Sequence, residues 1–335
     1  MNKTARVAVV SAGLILSTIL SFFIVEGALR LKNLSMKNYE IEMWKYSMTL
    51  KTPSPDPRLG HEHLKNKEAI LQSTLIRLNN RGLRGGPVET KPGGRRIIFL
   101  GGSITLGWGV PEEATISSRI AEYFRNDGHL VETLNAGTGN YNAERYVELF
   151  LTRLTDLEPT DIVVHYFIRD AEVLEAGGGN ALLRNSQAAV TVWSLIHRYF
   201  DPTGMDTLEN HYRKVYEPGA PGLAVMQSSL TRLAEYAKGK GIRLYLAMTP
   251  DVHNLVNYKF GYIHQLVGEF AKSQGYVYVD LFPAFQGITP EKIWAMPGDP
   301  HPNALGHELM AKALYPALKD VPPTTALAHL QPGVD

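Results

Sequence analysis

Two short stretches of this 335-residue chain hold side chains that could do covalent chemistry together. One is Gly101-Gly102-Ser103-Ile104-Thr105, directly after the apolar run Ile97-Ile98-Phe99-Leu100. The other is Pro297-Gly298-Asp299-Pro300-His301-Pro302-Asn303. A serine hydroxyl is a weak nucleophile until a base takes its proton, and that base needs a carboxylate to orient it. Proline pushes the residue before it toward extended geometry, and Asp299 and His301 each precede one. In an extended segment residues i and i+2 point to the same side, which sets Asp299 beside the His301 imidazole. Ser103, His301 and Asp299 are thus the candidate nucleophile, base and orienting acid. Without that chemistry, Ser103 reads as an N-cap serine and His301 as a satisfied loop histidine.

Other chemistries fit less well. A phosphate loop needs Gly-x-x-x-x-Gly-Lys-Ser/Thr. Gly102 and Gly107 have that spacing, but Trp108-Gly109 follows. The Gly-x-Gly-x-x-Gly dinucleotide fingerprint starts at neither Gly101 nor Gly102, and Thr105 replaces the second glycine of the Gly-x-Ser-x-Gly nucleophile elbow. The chain has no cysteine, which removes disulfides, thiolate ligands and cysteine nucleophiles. With 34 basic and 33 acidic side chains it lacks the basic surface that nucleic acid requires. A content of 44% hydrophobic and 20% charged residues excludes a disordered chain. His61 and His63 have no partner at zinc spacing. His165, inside an apolar run, reads as a satisfied interior histidine, His307 as packing support, Asp170 as structural, and Asp280 as a cap or a positioning group. No metal or organic cofactor is implied.

The elements that must position these residues are strands at 96–100, 131–135, 161–167, 242–248 and 276–281. They alternate with helical stretches at 115–126, 143–154, 223–238, 256–273 and 304–318. Such alternation means a parallel sheet covered on both faces. Ligands and chemistry collect at the carboxyl ends of its strands, where Ser103 falls. Residues 175–222 interrupt the pattern with Gly177-Gly178-Gly179 and a helical stretch near 186–200, and read as a lid or a partner surface. Before the sheet, Thr52–Pro57 is a proline-stiffened connector, and 58–90 shows no strong period.

At the other end of the chain, Val7–Val25 carries no charged side chain. As a helix it spans about 28 Å, close to a hydrocarbon core. A buried core helix is rarely apolar all round for so long. A cleaved signal peptide needs small residues after the run, but this one exits through Phe22-Phe23-Ile24-Val25-Glu26. The expectation is an uncleaved anchor followed by a helical extension over 26–50. Lys3 and Arg6 flank one end and Arg30, Lys32 and Lys37 the other, so charge alone does not orient it.

On these blocks the chain resembles the SGNH hydrolases, also called the GDSL family of esterases and lipases, over roughly residues 80–318. The resemblance implies a three-layer α/β/α sandwich with a central, mostly parallel, flavodoxin-like sheet. It places the serine nucleophile on Ser103 in Gly101-Gly102-Ser103. The oxyanion-hole block corresponds to Asn135-Ala136-Gly137-Thr138-Gly139-Asn140, a third block to Phe167-Ile168-Arg169-Asp170, and the acid and base to Asp299 and His301. Four departures stand out. Gly102 replaces an aspartate. The oxyanion glycine falls on Asn140, with Gly139 just before it. Arg169 replaces the asparagine that donates to the oxyanion. The acid stands two residues before the histidine, where the family has it three before, at Gly298.

The expected oxyanion donors are accordingly Ser103, Asn140 or Gly139, and Arg169. The expected organisation is a flank at 1–6, an anchor at 7–28, a juxtamembrane helix and linker at 29–90, the hydrolase domain at 91–320 with the 175–222 insertion, and a disordered tail at 321–335. By resemblance to membrane-tethered members, the reaction is hydrolysis or transfer of O-acetyl groups on an exported glycan. The same resemblance implies a multipass membrane acyltransferase as partner, a single-pass inner-membrane location and a periplasmic catalytic domain. The alternative is a non-catalytic, glycan-binding or scaffolding subunit, which the departures at 102, 140 and 169 would permit.

Overall fold

A computed structural model describes residues 3–89, 94–174, 181–200 and 205–320. Helix α1 (Lys3–Lys32) holds the apolar run. Its apolar window has a mean hydropathy of 2.4 and none of it is buried, so α1 is long and apolar enough to cross a membrane. The helical extension expected over 26–50 is broken once. A short turn at Asn33–Ser35 ends on Met36, whose left-handed φ of 54° stops it. Asn38 then caps α2 (Tyr39–Thr49) by accepting the Ile41 N–H.

The segment without a period contains β structure. β1 (Lys51–Pro53) pairs antiparallel with β2 (His61–His63). β3 (Lys67–Leu71) and β4 (Thr74–Leu78) form a hairpin, turning through Gln72 and Ser73 at φ 49° and 59°. Two successive positive φ values match the twist of a tight hairpin. Strands of three to five residues are too short to show a sequence period. This segment is built into the domain: Arg84 is buried and donates to the carbonyls of Leu106, Gly107 and Val110.

The central sheet comprises β5 (Arg95–Gly101), β6 (Val131–Asn135), β7 (Asp161–Tyr166), β8 (Arg243–Met248) and β9 (Val277–Asp280). All are parallel, in the order β6-β5-β7-β8-β9, the flavodoxin-like order. Side chains alternate across it. Ile97, Phe99, Val163, Tyr245 and Ala247 pack against α4 (Ile116–Asn126) and the last helix. Ile98, Leu100, Ile162, Val164 and Leu246 pack on the opposite face. There they meet α5 (Ala143–Leu149), α9 (Pro221–Lys240) and α10 (Gly261–Ser273). The last helix is α11 (Ala304–Lys319). At the amino-terminal edge, Asp161 of β7 accepts from Arg95 of β5 at 2.9 and 3.0 Å and from Arg243 of β8 at 2.7 Å. One buried carboxylate thus ties three strands.

Four-residue α3 (Ser103–Leu106) follows β5. Of the insertion, α6 (Ala181–Asn185) and α7 (Gln187–Phe200) precede α8 (Met205–Val215). α7 packs on α1 and α2, and α8 on α9. Gly177–Gly179 and the tail beyond 320 lie outside the described residues. α10 starts at Gly261, not at 256, because the Asn254 side-chain Oδ1 takes the Val256 and Asn257 N–H groups in a turn. A final antiparallel pair, β10 (Trp294–Met296) and β11 (Asp299–Pro302), leads into α11.

Candidate active site

Ser103 begins α3 where β5 ends, so its N–H precedes the first helical bond. The turn needs glycine: a Cβ on Gly101 would fall 2.0 Å from Thr105 Oγ1 and 2.8 Å from the His165 carbonyl. At Gly102 a Cβ would meet the Tyr141 carbonyl at 3.2 Å, so the smallest residue fits this turn without displacing Tyr141.

β11 brings the other two groups. Its extended backbone sets Asp299 Oδ1 2.5 Å from His301 Nδ1 and 3.2 Å from the His301 N–H. His301 Nε2 lies 2.8 Å from Ser103 Oγ. The three residues form one hydrogen-bonded chain from carboxylate to hydroxyl. Gly298, at the family's usual acid position, turns with φ 79°. Asp299 has no exposed side-chain surface and His301 keeps 15%. Burial would push the Asp299 carboxyl up, but hydrogen bonds from His301 and Gln72 outweigh it and hold it below the usual carboxylate range. It is therefore ionised and aimed at an imidazole whose far nitrogen meets the serine.

Sequence reasoning missed the groups that hold this chain in place. Gln72 Nε2 donates to Asp299 Oδ2 at 2.8 Å. The Gln72 N–H in turn donates to the buried Glu42 of α2 at 2.8 Å, and Lys45 binds the other Glu42 oxygen at 2.7 Å. Tyr39 of α2 lies over the His301 ring at 5.7 Å between centroids and 31° between planes. Burial and the Asp299 charge push the Tyr39 phenol well above its ordinary value, so it stays neutral. The only sequence signal for Gln72 is a hairpin turn inside an aperiodic segment.

The second block crosses the end of β5. Ala136 and Thr138 donate to the Phe99 and Gly101 carbonyls. The Asn135 side chain holds the Thr105 carbonyl at 2.8 Å and the Gly137 N–H at 3.0 Å. A Cβ on Gly137 would fall 2.1 Å from the Leu106 nitrogen, so only glycine lets the two loops touch. Of the two N–H groups offered for the oxyanion, that of Gly139 is already spent. It donates to Tyr46 Oη at 2.9 Å, which meets His63 Nε2 at 2.5 Å, while His63 Nδ1 contacts the Gly82 carbonyl. Burial lowers the His63 pKa to about 4, keeping it a neutral acceptor for the Tyr46 hydroxyl. His61 contacts the Gly139 carbonyl at 3.0 Å. Asn140 is exposed, with φ 63°. Asparagine is one of the few side chains that tolerate that region. The N–H groups of Ser103 and Asn140 have no hydrogen-bond partner among the described residues.

Arg169 lies past β7 in a short turn whose other residues are buried, its own side chain exposed and its Nε 3.2 Å from Glu172. The donor expected for the oxyanion is thus paired with a carboxylate. Past β8 stands a second Asp-x-His pair, with His253 Nδ1 2.9 Å from Asp251. Burial would lower the His253 pKa, but Asp251, with Asp299 farther off, raises it. Asp280 receives His264 Nδ1 at 2.8 Å and the Phe282 N–H, a positioning role at the end of β9. Buried His307 accepts the Ile116 N–H at 3.0 Å and buried His165 meets Thr105 Oγ1 at 3.2 Å, so both support packing. Asp170 accepts the Phe167 N–H, and burial pushes its pKa up to about 8.

Comparison with solved structures returns matches at low identity. A catalytic mutant of Axe2, an acetylxylan esterase from Geobacillus stearothermophilus, is 14% identical with a TM-score of 0.46, covering 68% of this chain and 95% of that one. TesA is 12% identical with a TM-score of 0.43, covering 67% and 98%. A two-domain esterase active on acetylated mannans is 19% identical with a TM-score of 0.41, covering 69% and 50%. No curated protein matches in sequence. The profile of the GDSL-like lipase/acylhydrolase family does match, over residues 99–309. That stretch runs from within the strand that delivers Ser103 to the helix that follows His301 and takes in more than half of the chain, so the protein belongs to the GDSL-like lipase/acylhydrolase family.

Proposed function

We propose that this protein is a serine-dependent acyl-ester hydrolase or acyltransferase working through an acyl-enzyme on Ser103. The observation that carries the reading is the unbroken path Asp299–His301–Ser103, at 2.5 and 2.8 Å. Ser103 Oγ attacks the ester carbonyl while His301 Nε2 takes its proton, and Asp299 stabilises the imidazolium. The oxyanion is received by the N–H groups of Ser103 and Asn140. Arg169 adds positive charge at the mouth once it leaves Glu172. His301 then protonates the leaving alcohol and activates the acceptor. Water as acceptor makes the protein an esterase, and a sugar hydroxyl makes it an O-acyltransferase. The apolar α1 supports placing this chemistry at a membrane, with O-acetyl groups of an exported glycan as substrate and the catalytic domain on the periplasmic side.

A fluorophosphonate tests the chemistry directly, because Ser103 Oγ displaces fluoride at phosphorus while His301 takes the proton. Intact mass of the detergent-solubilised full chain should show one adduct. Ser103→Ala and His301→Ala should each abolish it or slow it by at least about 10⁴-fold. A folded wild type that takes up no adduct would favour the non-catalytic reading, which the engaged Gly139 N–H and Arg169 side chain would then explain.

A further inference from the structure

Helix α7 of the insertion buries Ala188 and Val190 against the protein but turns a second apolar face outward. On α7, Val192 is 55% exposed, Leu195 58% and Ile196 50%, and the neighbouring α6 exposes Leu182 at 59%. These α7 positions recur at three- and four-residue spacing and share a face. The polar Gln187 lies on the buried side. A helix with its apolar stripe turned away from its own protein needs an outside apolar medium.

Where that helix is attached indicates which medium. The buried carboxylate of Glu26, at the end of the apolar run of α1, accepts from Ser186 Oγ at 2.9 Å and from the Gln187 and Ala188 N–H groups at 3.0 and 2.9 Å. It thereby serves as the cap of α7 from another helix. Asn33 donates to Gln187 Oε1 at 2.9 Å, and Arg30 reaches the Asn185 carbonyl at 3.0 Å. The start of α7 is therefore pinned where α1 leaves its apolar stretch, among Arg30, Lys32 and Lys37. Basic side chains at that level suit anionic headgroups. Trp193, 46% exposed, lies in the same stretch, and tryptophan favours the boundary between headgroup and acyl chain.

We infer that α7 is an interfacial helix, docked by Glu26 to the exit of α1 and laid with its Val192–Ile196 face in the surface of the lipid bilayer. This rests on α1 spanning that bilayer. It makes the attachment two-point: α1 holds the depth, and α7 fixes the orientation of the domain about it.

The absence of cysteine allows a clean test on the full chain in nanodiscs containing anionic lipid. Single substitutions Val192→Cys, Ile196→Cys, Ser194→Cys and Leu16→Cys would each carry an environment-sensitive fluorophore, and nitroxide lipids labelled near the headgroup or deep in the chain would serve as quenchers. A fluorophosphonate adduct or an unchanged circular dichroism spectrum shows that each labelled protein is folded. Labels at 192 and 196 should be quenched at least about twofold more by the shallow than by the deep nitroxide, with 194, whose hydroxyl is buried, largely protected and 16 quenched by the deep one. Quenching at 16 without any at 192 and 196 overturns the inference while leaving the anchor intact, and points to a protein partner on that face. No quenching at 16 overturns the anchor and this inference with it.

Discussion

Asp299 has two oxygens and both are committed, one to His301 and one to Gln72. A hydrogen bond to an ionised group contributes about 1.5–3 kcal/mol. Gln72→Ala should therefore slow fluorophosphonate uptake about 10- to 100-fold while leaving the fold in place, read as adduct formation against time. An uptake rate equal to wild type would show that Asp299 is held well enough by β11 alone. The three residues of the chain were legible in the sequence because each sits in a local signature: a serine after a strand, and Asp-x-His between prolines. Gln72 and Tyr39 were not. Their contacts with Asp299 and His301 join segments separated by most of the chain, and no spacing rule encodes such a meeting. The sequence also offered Gly139 and Asn140 as equals. Only the Tyr46 hydroxyl, bound to the Gly139 N–H, separates them.

How far an element shows in the sequence depends on how deeply it is buried. Strands buried on both faces carry continuous apolar runs, and the sequence places β5, β7 and β8 to within a residue or two on such runs. The half-exposed β2 to β4 are short and carry no such run, so residues 58–90 show no strong period although they supply Gln72. The three-strand clamp at Asp161 also lay beyond the sequence, since it depends on sheet order. Removing one partner of a buried ion pair costs about 3–5 kcal/mol, so Asp161→Asn should lower stability by about that amount in urea unfolding. Burial would raise the Asp161 carboxyl, but Arg95 and Arg243 hold it below its ordinary value. As pH falls the unfolded chain takes up that proton first. The clamp's contribution is complete above the ordinary carboxylate pKa of about 4 and fades as pH drops through the native value. The Asn variant should lose this acid-side slope.

At the scale of the whole molecule, the family match begins at residue 99, yet the parts that pack against Asp299 and His301 begin with α2. Trp44 of α2 donates to the Leu183 carbonyl of α6 at 2.8 Å, so α2, the insertion and the candidate active site are mechanically continuous. Full chain in vesicles should resist alkaline carbonate extraction, and a chain lacking residues 1–35 should appear in the supernatant. Equal release of both would show that α1 does not hold the protein in lipid.

The short connection between α1 and α2 has a consequence for which esters can be reached. Only residues 33–38 separate the two helices, and six residues extend to about 20 Å at most. With α1 in a bilayer, Ser103 works at a near-constant height, as if on a short leash. Such an enzyme would meet its substrate by lateral diffusion rather than by searching a volume, and modest intrinsic affinity would suffice because tethering keeps the local concentration high. Acyl groups on a polymer would be accessible while that polymer is still close to the membrane, and out of range once it has moved away.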